Sequence, residues 1–177
     1  ETRKRKADHI RICLNEKAQA RKVTTGFEDI HFVNKALPEI SKQKNDLSTY
    51  VFGHKFDAPI IVGAMTGGTL EAEKINAAIA QAVEKLHLGM GVGSQRAALQ
   101  DSKLARTFAI ARKKAPTAFL IANIGGVQLT HGYGLKEVKK AVEMIDADAV
   151  AIHLNALQEA AQPEGQTNFE GVLAKIA

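Results

Sequence analysis

The stretch Pro59-Ile60-Ile61-Val62-Gly63-Ala64-Met65-Thr66-Gly67-Gly68-Thr69-Leu70, residues 59–70, decides the fold. Its apolar run from Pro59 to Met65 has the length of one buried strand, far short of the ~20 residues a membrane-spanning helix needs. The run closes on small and polar residues, and Thr69 is placed to cap a helix that reads over 70–87. Strand, short loop and capped helix are the opening of a βαβ unit. The pattern then repeats. Buried-strand patterns start near residues 59, 89, 118 and 149 and cover 60–65, 90–94, 119–124 and 149–154. Helical patterns lie between them, over 103–115 behind Ser102 and stopped by Pro116, and over 135–145. A further helix opens after Asn168. Strands alternating with helices in a unit of about 30 residues predict an α/β fold with a parallel sheet. Near-equal spacing without a long crossover favours a (β/α) barrel over a doubly wound sheet. A closed (β/α)8 barrel takes eight units and about 250 residues. Residues 59–177 supply four units, so they read as the first half of a TIM barrel.

Residues 1–58 read as a separate segment of helix, loop and hairpin. Ala7, Ile10, Leu14 and Ala18 recur at helical spacing, which predicts an amphipathic helix over 3–19. Arg5 and His9, four apart, share its other face, and Cys13 reads as a small packing residue. Turn chemistry follows at Pro38 and at Lys42-Gln43-Lys44-Asn45-Asp46. Residues 48–52 and 55–58, joined through Gly53-His54, read as a short hairpin.

Composition narrows the class of function. Hydrophobic residues make up 45% and charged residues 24% of the 177, which suits a packed domain and not a disordered chain. The single cysteine excludes a disulfide framework or a cysteine zinc site and suits a reducing cytoplasm. No apolar stretch follows the basic start at Arg3, so no secretory signal is expected. The chain carries 24 Lys and Arg against 19 Asp and Glu, a net charge of +5. Much of that excess sits at 3–6 and 42–44, short runs that read as solvated faces. With two tyrosines and no tryptophan, stacking platforms for nucleic acid are scarce. A small anionic ligand is the better match.

Parallel α/β folds bind ligands at the carboxyl ends of their strands, where loops and helix starts converge. Here those ends read Met65-Thr66-Gly67-Gly68, Gly93-Ser94-Gln95-Arg96, Asn123-Ile124-Gly125-Gly126, and His153-Leu154-Asn155 followed by Gln158-Glu159. Each has an ordinary reading on its own. Gly67-Gly68 can be a turn, and the Gly89, Gly91 and Gly93 run can be close packing. His153 on an apolar strand is more often a core histidine than a site residue, and Gln158-Glu159 can be surface. Gly89-x-Gly91-x-Gly93 is not the G-x-G-x-x-G dinucleotide fingerprint, and the chain has no phosphate-binding G-x-x-x-x-G-K-[ST] loop. Their common rim is what argues for a site. The 155–168 connection, with Pro163-Glu164-Gly165, also exceeds the 2–6 residues usual for such loops. Gln158, Glu159 and Gln162 there could reach a cation or a phosphate. Without a His/Cys cluster, any metal would be a hard one on oxygen ligands.

Five ordered motifs together resemble type 2 isopentenyl-diphosphate isomerases. They are Arg5-Lys6-Ala7-Asp8-His9, Ala64-Met65-Thr66-Gly67-Gly68, Gly93-Ser94-Gln95-Arg96, Asn123-Ile124-Gly125, and His153 to Glu159 with Pro163-Glu164-Gly165. The resemblance runs from about residue 4 to the last residue and covers about the first half of the family's usual length. It implies an FMN- and Mg²⁺-dependent TIM barrel that forms homo-oligomers, tetramers or octamers, and interconverts isopentenyl and dimethylallyl diphosphate. It implies that the reduced flavin moves the proton, with NADPH serving only as its reductant.

Residue by residue, the resemblance places the flavin at Ala64, Met65, Thr66, Ser94 and Asn123. It places the substrate at Arg5, Lys6, His9, Ser94, Gln95, Arg96 and Gln158, and the metal at Glu159. Gln158, His153 and Asn155 are the candidate catalytic residues. Two further readings stay open: another FMN-dependent barrel oxidoreductase acting on a small acid, and an inactive half-barrel fragment.

Overall fold

The structure, a computed structural model, describes every residue except Glu1, Glu16, Lys17, Gln19, Arg21, Pro163 and Glu164. Of residues 2–6 and His9 it describes the backbone alone. Helix α1 spans Thr2–Cys13, shorter than the expected 3–19. Ile10 is its anchor, 5% exposed, whereas Leu14 and Cys13 face solvent. The expected apolar stripe through Leu14 and the packing role of Cys13 therefore do not hold. A lysine- and arginine-rich helix whose described side chains bury only Ile10 offers little apolar surface to extend the contact.

The hairpin pairs β1 (Thr49–Val51) with β2 (His54–Phe56), antiparallel, with Thr49 opposite Phe56 and Val51 opposite His54. Its turn is Phe52-Gly53, one residue earlier than expected. Both turn residues have positive φ, 47° and 82°, the primed geometry whose twist matches the strands.

Four strands then form one parallel sheet in chain order: β3 (Ile61–Val62), β4 (Gly89–Gly91), β5 (Phe119–Gly125) and β6 (Ala149–His153). The register sets Ile61 beside Gly89, Gly89 beside Phe119 and Ile121 beside Ala149. The crossover helices are α2 (Leu70–Lys85), α4 (Arg106–Lys114) and α5 (Leu135–Ile145), with the short α3 (Arg96–Gln100) before α4. Two short helices follow β6, α6 (Ala156–Ala161) and α7 (Val172–Ile176). Thr69 caps α2, its Oγ1 accepting from Ala72 N at 3.1 Å. The expected helix over 103–115 is divided: Asp101 caps a single 3₁₀ turn, Ser102–Leu104, and α4 starts only at Arg106.

Helix α2 packs on α4 and α4 on α5, so all three lie along one face of the sheet, as right-handed crossovers between parallel strands require. The core between them joins Met90, Val92, Leu120, Ala122 and Ile124 to Ala80, Val83, Phe108, Ala111, Ala141 and Ile145. Small alanines on the helices let them approach the strands. Each large side chain buried there contributes about 1.5–3 kcal/mol.

The amino-terminal end of the sheet is closed by the hairpin. Phe56 and Phe119 are both 2% exposed with ring centres 5.6 Å apart, and His54 meets Phe119 edge-on at 5.1 Å. Arg112 of α4 ties this end together by donating to the carbonyls of Ala115, Pro116, Ala118 and Asp146 and to Asp148 Oδ2. Glu84 at the end of α2 accepts from Thr117 N, Thr117 Oγ1 and Ala118 N. Among the described residues, no helix is long and apolar enough to cross a membrane.

Candidate active site

The opposite, carboxyl end of the sheet carries a cleft of about 200 Å³. Its walls come from all four strand ends: Ala64 and Met65 after β3, Ser94 after β4, Asn123 on β5 and His153 on β6. Arg96, the first residue of α3, and Gln158 and Glu159 of α6 complete the rim. With Gln162, which also lines it, nine of the residues expected at the site are thus gathered around one space.

Local packing explains why these loops hold their shape. Gly93 N donates to Thr66 O at 3.0 Å, and a Cβ at Gly93 would lie 2.6 Å from Thr66 N. Only glycine lets the two strand ends approach this closely. From behind, buried Asn76 of α2 donates to Thr66 O and Thr107 O, and Thr107 Oγ1 accepts from Gly68 N at 2.9 Å. Two helices thereby fix the loop after β3.

His153 is exposed and lines the cleft, so the core-histidine reading does not apply. Gln158 and Glu159 stand on a helix and not on an irregular loop, because Asn155 caps α6 with its Oδ1 accepting from Gln158 N at 3.0 Å. Successive helical side chains diverge by about 100°, yet both residues still reach the cleft wall. Glu159 Oε2 accepts from Gln166 N at 2.7 Å, which holds its carboxylate in place.

Three expected positions differ from the sequence reading. Gln95 is fully buried, pointing into the core instead of the cleft; its Oε1 accepts from Asn123 N and its Nε2 donates to Ala141 O. Asn155 is one step behind the cleft, its Nδ2 donating to Gln158 Oε1 at 3.2 Å. Thr66 is 3% exposed and is not part of the cleft wall. The side chains of Arg5, Lys6 and His9, like Pro163 and Glu164, lie outside the described residues. Two residues absent from the sequence reading belong to the site. Gln128, 4% exposed, lines the cleft from the 3₁₀ turn Gly126–His131, and Gln166 reaches it by hydrogen bonding. A polar residue three positions past the glycine that ends β5 was the available signal.

The sequence model of FMN-dependent dehydrogenases matches residues 1–124, most of the chain. The chain belongs to that family. Membership brings FMN as the family's cofactor, and the residues fit such a group. Ser94 and Asn123 bring a hydroxyl and a carboxamide to the cleft wall beside the apolar side chains of Ala64 and Met65, the mix of hydrogen-bonding and apolar lining that a cofactor site takes.

Curated relatives similar to this chain include proteins named isopentenyl-diphosphate delta-isomerase. The protein from Ignicoccus hospitalis is 52% identical over the whole chain and 49% of its own length. That from Nostoc is 49% identical over 99% of the chain and 50% of its own length, and that from Methanosarcina barkeri 47% over 99% and 48%. The chain spans about half the length of the curated relatives it matches.

Proposed function

We propose that residues 59–177 are the first four βα units of a flavin-dependent (β/α)8 barrel, with residues 1–58 as its N-terminal segment. The proposed reaction interconverts isopentenyl and dimethylallyl diphosphate in isoprenoid biosynthesis. The observation that carries the reading is the single cleft at four consecutive strand ends, which brings a cation, a carboxylate and neutral polar groups around one space.

Ala64 and Met65 form the wall against the flavin, Ser94 and the Asn123 amide hydrogen-bond its polar groups, and Thr66, assigned to the flavin by the sequence reading, backs that wall from behind. FMN, when bound, supplies the acid–base chemistry at the alkene. Arg96 grips the diphosphate with its planar fork, and it has no carboxylate partner among the described residues. Arg5 and Lys6 of α1 and the amide of Gln158 add to the substrate grip. Glu159 would hold Mg²⁺, which would neutralise charge on the diphosphate; this ion commonly uses one or two carboxylates plus substrate phosphate, so one suffices. His153 faces the same pocket, His9 is assigned to the substrate as well, and Gln158, steadied by Asn155, orients the substrate. Gln95 supports this wall from the core. Protonating an unactivated alkene develops positive charge on carbon, so the residues must also exclude water. NADPH as flavin reductant, a homo-oligomeric assembly and a cytoplasmic location complete the reading.

The family's dehydrogenase description favours a second reading, an FMN-dependent oxidoreductase acting on a small acid. One assay separates the two. Full-length protein reduced once and given isopentenyl diphosphate should form dimethylallyl diphosphate through many turnovers without consuming reductant. Stoichiometric use of an electron acceptor, with no isomer formed, would overturn the isomerase reading.

A further inference from the structure

Behind the cleft wall, the connection after α6 is fastened to the turn after β5 at two points. Gln128 Nε2 donates to Gln166 Oε1 at 3.0 Å, and Thr130 Oγ1 donates to Asn168 O at 2.8 Å. Gln166 then donates its backbone N–H to Glu159 Oε2. The result is a continuous line of hydrogen bonds, from Gln128 through the side chain and main chain of Gln166 to the Glu159 carboxylate.

The packing leaves this line little freedom. Gly165 sits so close to α6 that a Cβ there would fall 1.7 Å from Glu159 O, so the chain folds directly back over the helix. Gly165 N also donates to Gln162 O at 3.0 Å. Gln128 is 4% exposed, and its Oε1 lies against Gly125. Glu159 itself is only part-buried on a six-residue helix, where a carboxylate has several rotamers open to it.

We propose that Gln128 and Gln166 are positioning residues that set the direction of the Glu159 carboxylate in the cleft. Gln128 fixes the Gln166 side chain, and the Gln166 N–H then fixes one carboxylate oxygen and leaves the other for a ligand. The functional side rests on the reading of Glu159 as the Mg²⁺ ligand. Hydrogen bonds to a ligating carboxylate commonly govern metal affinity by about 10- to 100-fold.

The test uses full-length, FMN-loaded protein and the variants Gln128→Met and Gln166→Met, which keep side-chain length and remove the bridge. Amide exchange at residue 166 is measured first. It should quicken by about tenfold or more in Gln128→Met, since loss of the bridge frees the Gln166 N–H. Unchanged exchange overturns the proposal whatever Glu159 binds. Mg²⁺ titration is the second measurement, by calorimetry and by activation. Half-saturation should rise by about tenfold in both variants with flavin affinity and melting temperature near the parent's. In a Glu159→Gln background the same Met changes should add nothing, because residues acting through one group are non-additive. Additive effects, or parent-like titrations beside a shifted Glu159→Gln, overturn the positioning role. If Glu159→Gln alone leaves Mg²⁺ binding untouched, the metal reading has failed, and the exchange result alone decides whether the bridge orients the carboxylate.

Discussion

Gln95 and Asn123 exchange a reciprocal pair of hydrogen bonds: Gln95 N donates to Asn123 O at 2.8 Å, and Asn123 N donates to Gln95 Oε1 at 2.9 Å. The pair carries the contact between β4 and β5 past Gly91, where regular pairing ends. It also sets the two flanking site residues, Ser94 and Arg96, relative to Asn123. Gln95→Leu should leave Asn123 N buried and unpaired, at a cost of about 1–3 kcal/mol. Urea unfolding checks this, and a midpoint equal to the parent's would show that the pair does not stabilise the sheet end.

Asn123 is 5% exposed, with its amide at the cleft wall. Replacing it with leucine keeps the volume and removes the polar edge offered to the flavin. FMN affinity should fall by about 1–3 kcal/mol, read by fluorescence titration of the apoprotein. Unaltered affinity removes Asn123 from the flavin contacts.

A third expectation concerns pH. Burial pushes the Glu84 carboxyl up, but hydrogen bonds from Thr117 and Ala118 and the nearby Arg112 charge outweigh it, so its pKa lies below the ordinary 4.5. A carboxyl whose pKa is lower folded than unfolded stabilises the fold fully above the ordinary value. That contribution disappears as the pH falls through the depressed one. Glu84→Gln should therefore lower the melting temperature at neutral pH and converge with the parent in acid. A difference independent of pH would assign the effect to packing.

How much of this was legible in the sequence follows from which interactions are local. Strand starts, the Thr69 cap and the 135–145 helix are written in periodicity and capping chemistry, and they stand where expected. The rim was legible because parallel topology alone sends strand ends to one side. The inward turn of Gln95 was not, since a glutamine between serine and arginine reads as another site residue until α5 is seen to offer Ala141 O. Helix α6 was hidden for a different reason. Asn155 marks both a strand end and a helix cap, and a six-residue helix is too short to show a period. Gln128 and Gln166 meet across 38 residues of chain, so no local pattern announces them.

A polypeptide limited to residues 1–177 should self-associate. The sheet has β3 and β6 as edges, each paired on one side only, and Phe32, Val33 and Leu37 are 95%, 89% and 81% exposed. Open parallel edges and exposed apolar side chains both promote association. Size-exclusion chromatography with light scattering reads the outcome. A monomer that melts cooperatively would contradict it.

Gln158 and Glu159 are neighbours on one short helix, yet their proposed partners differ. The helix itself separates them, by turning successive side chains about 100° apart, and each takes a different hydrogen bond: Gln158 with Asn155, Glu159 with Gln166. Glu159→Gln removes the charge and nearly preserves the shape. It should raise the Mg²⁺ requirement and lower turnover by at least about tenfold, roughly 1.4 kcal/mol, with FMN binding almost intact. Gln158→Ala should leave the Mg²⁺ dependence alone and impair the substrate step, seen as a loss in kcat/KM for isopentenyl diphosphate. The opposite pattern, in which Gln158→Ala shifts the metal titration and Glu159→Gln does not, would exchange the two assignments. Loss of neither property would return both side chains to the surface of α6 as solvated polar groups.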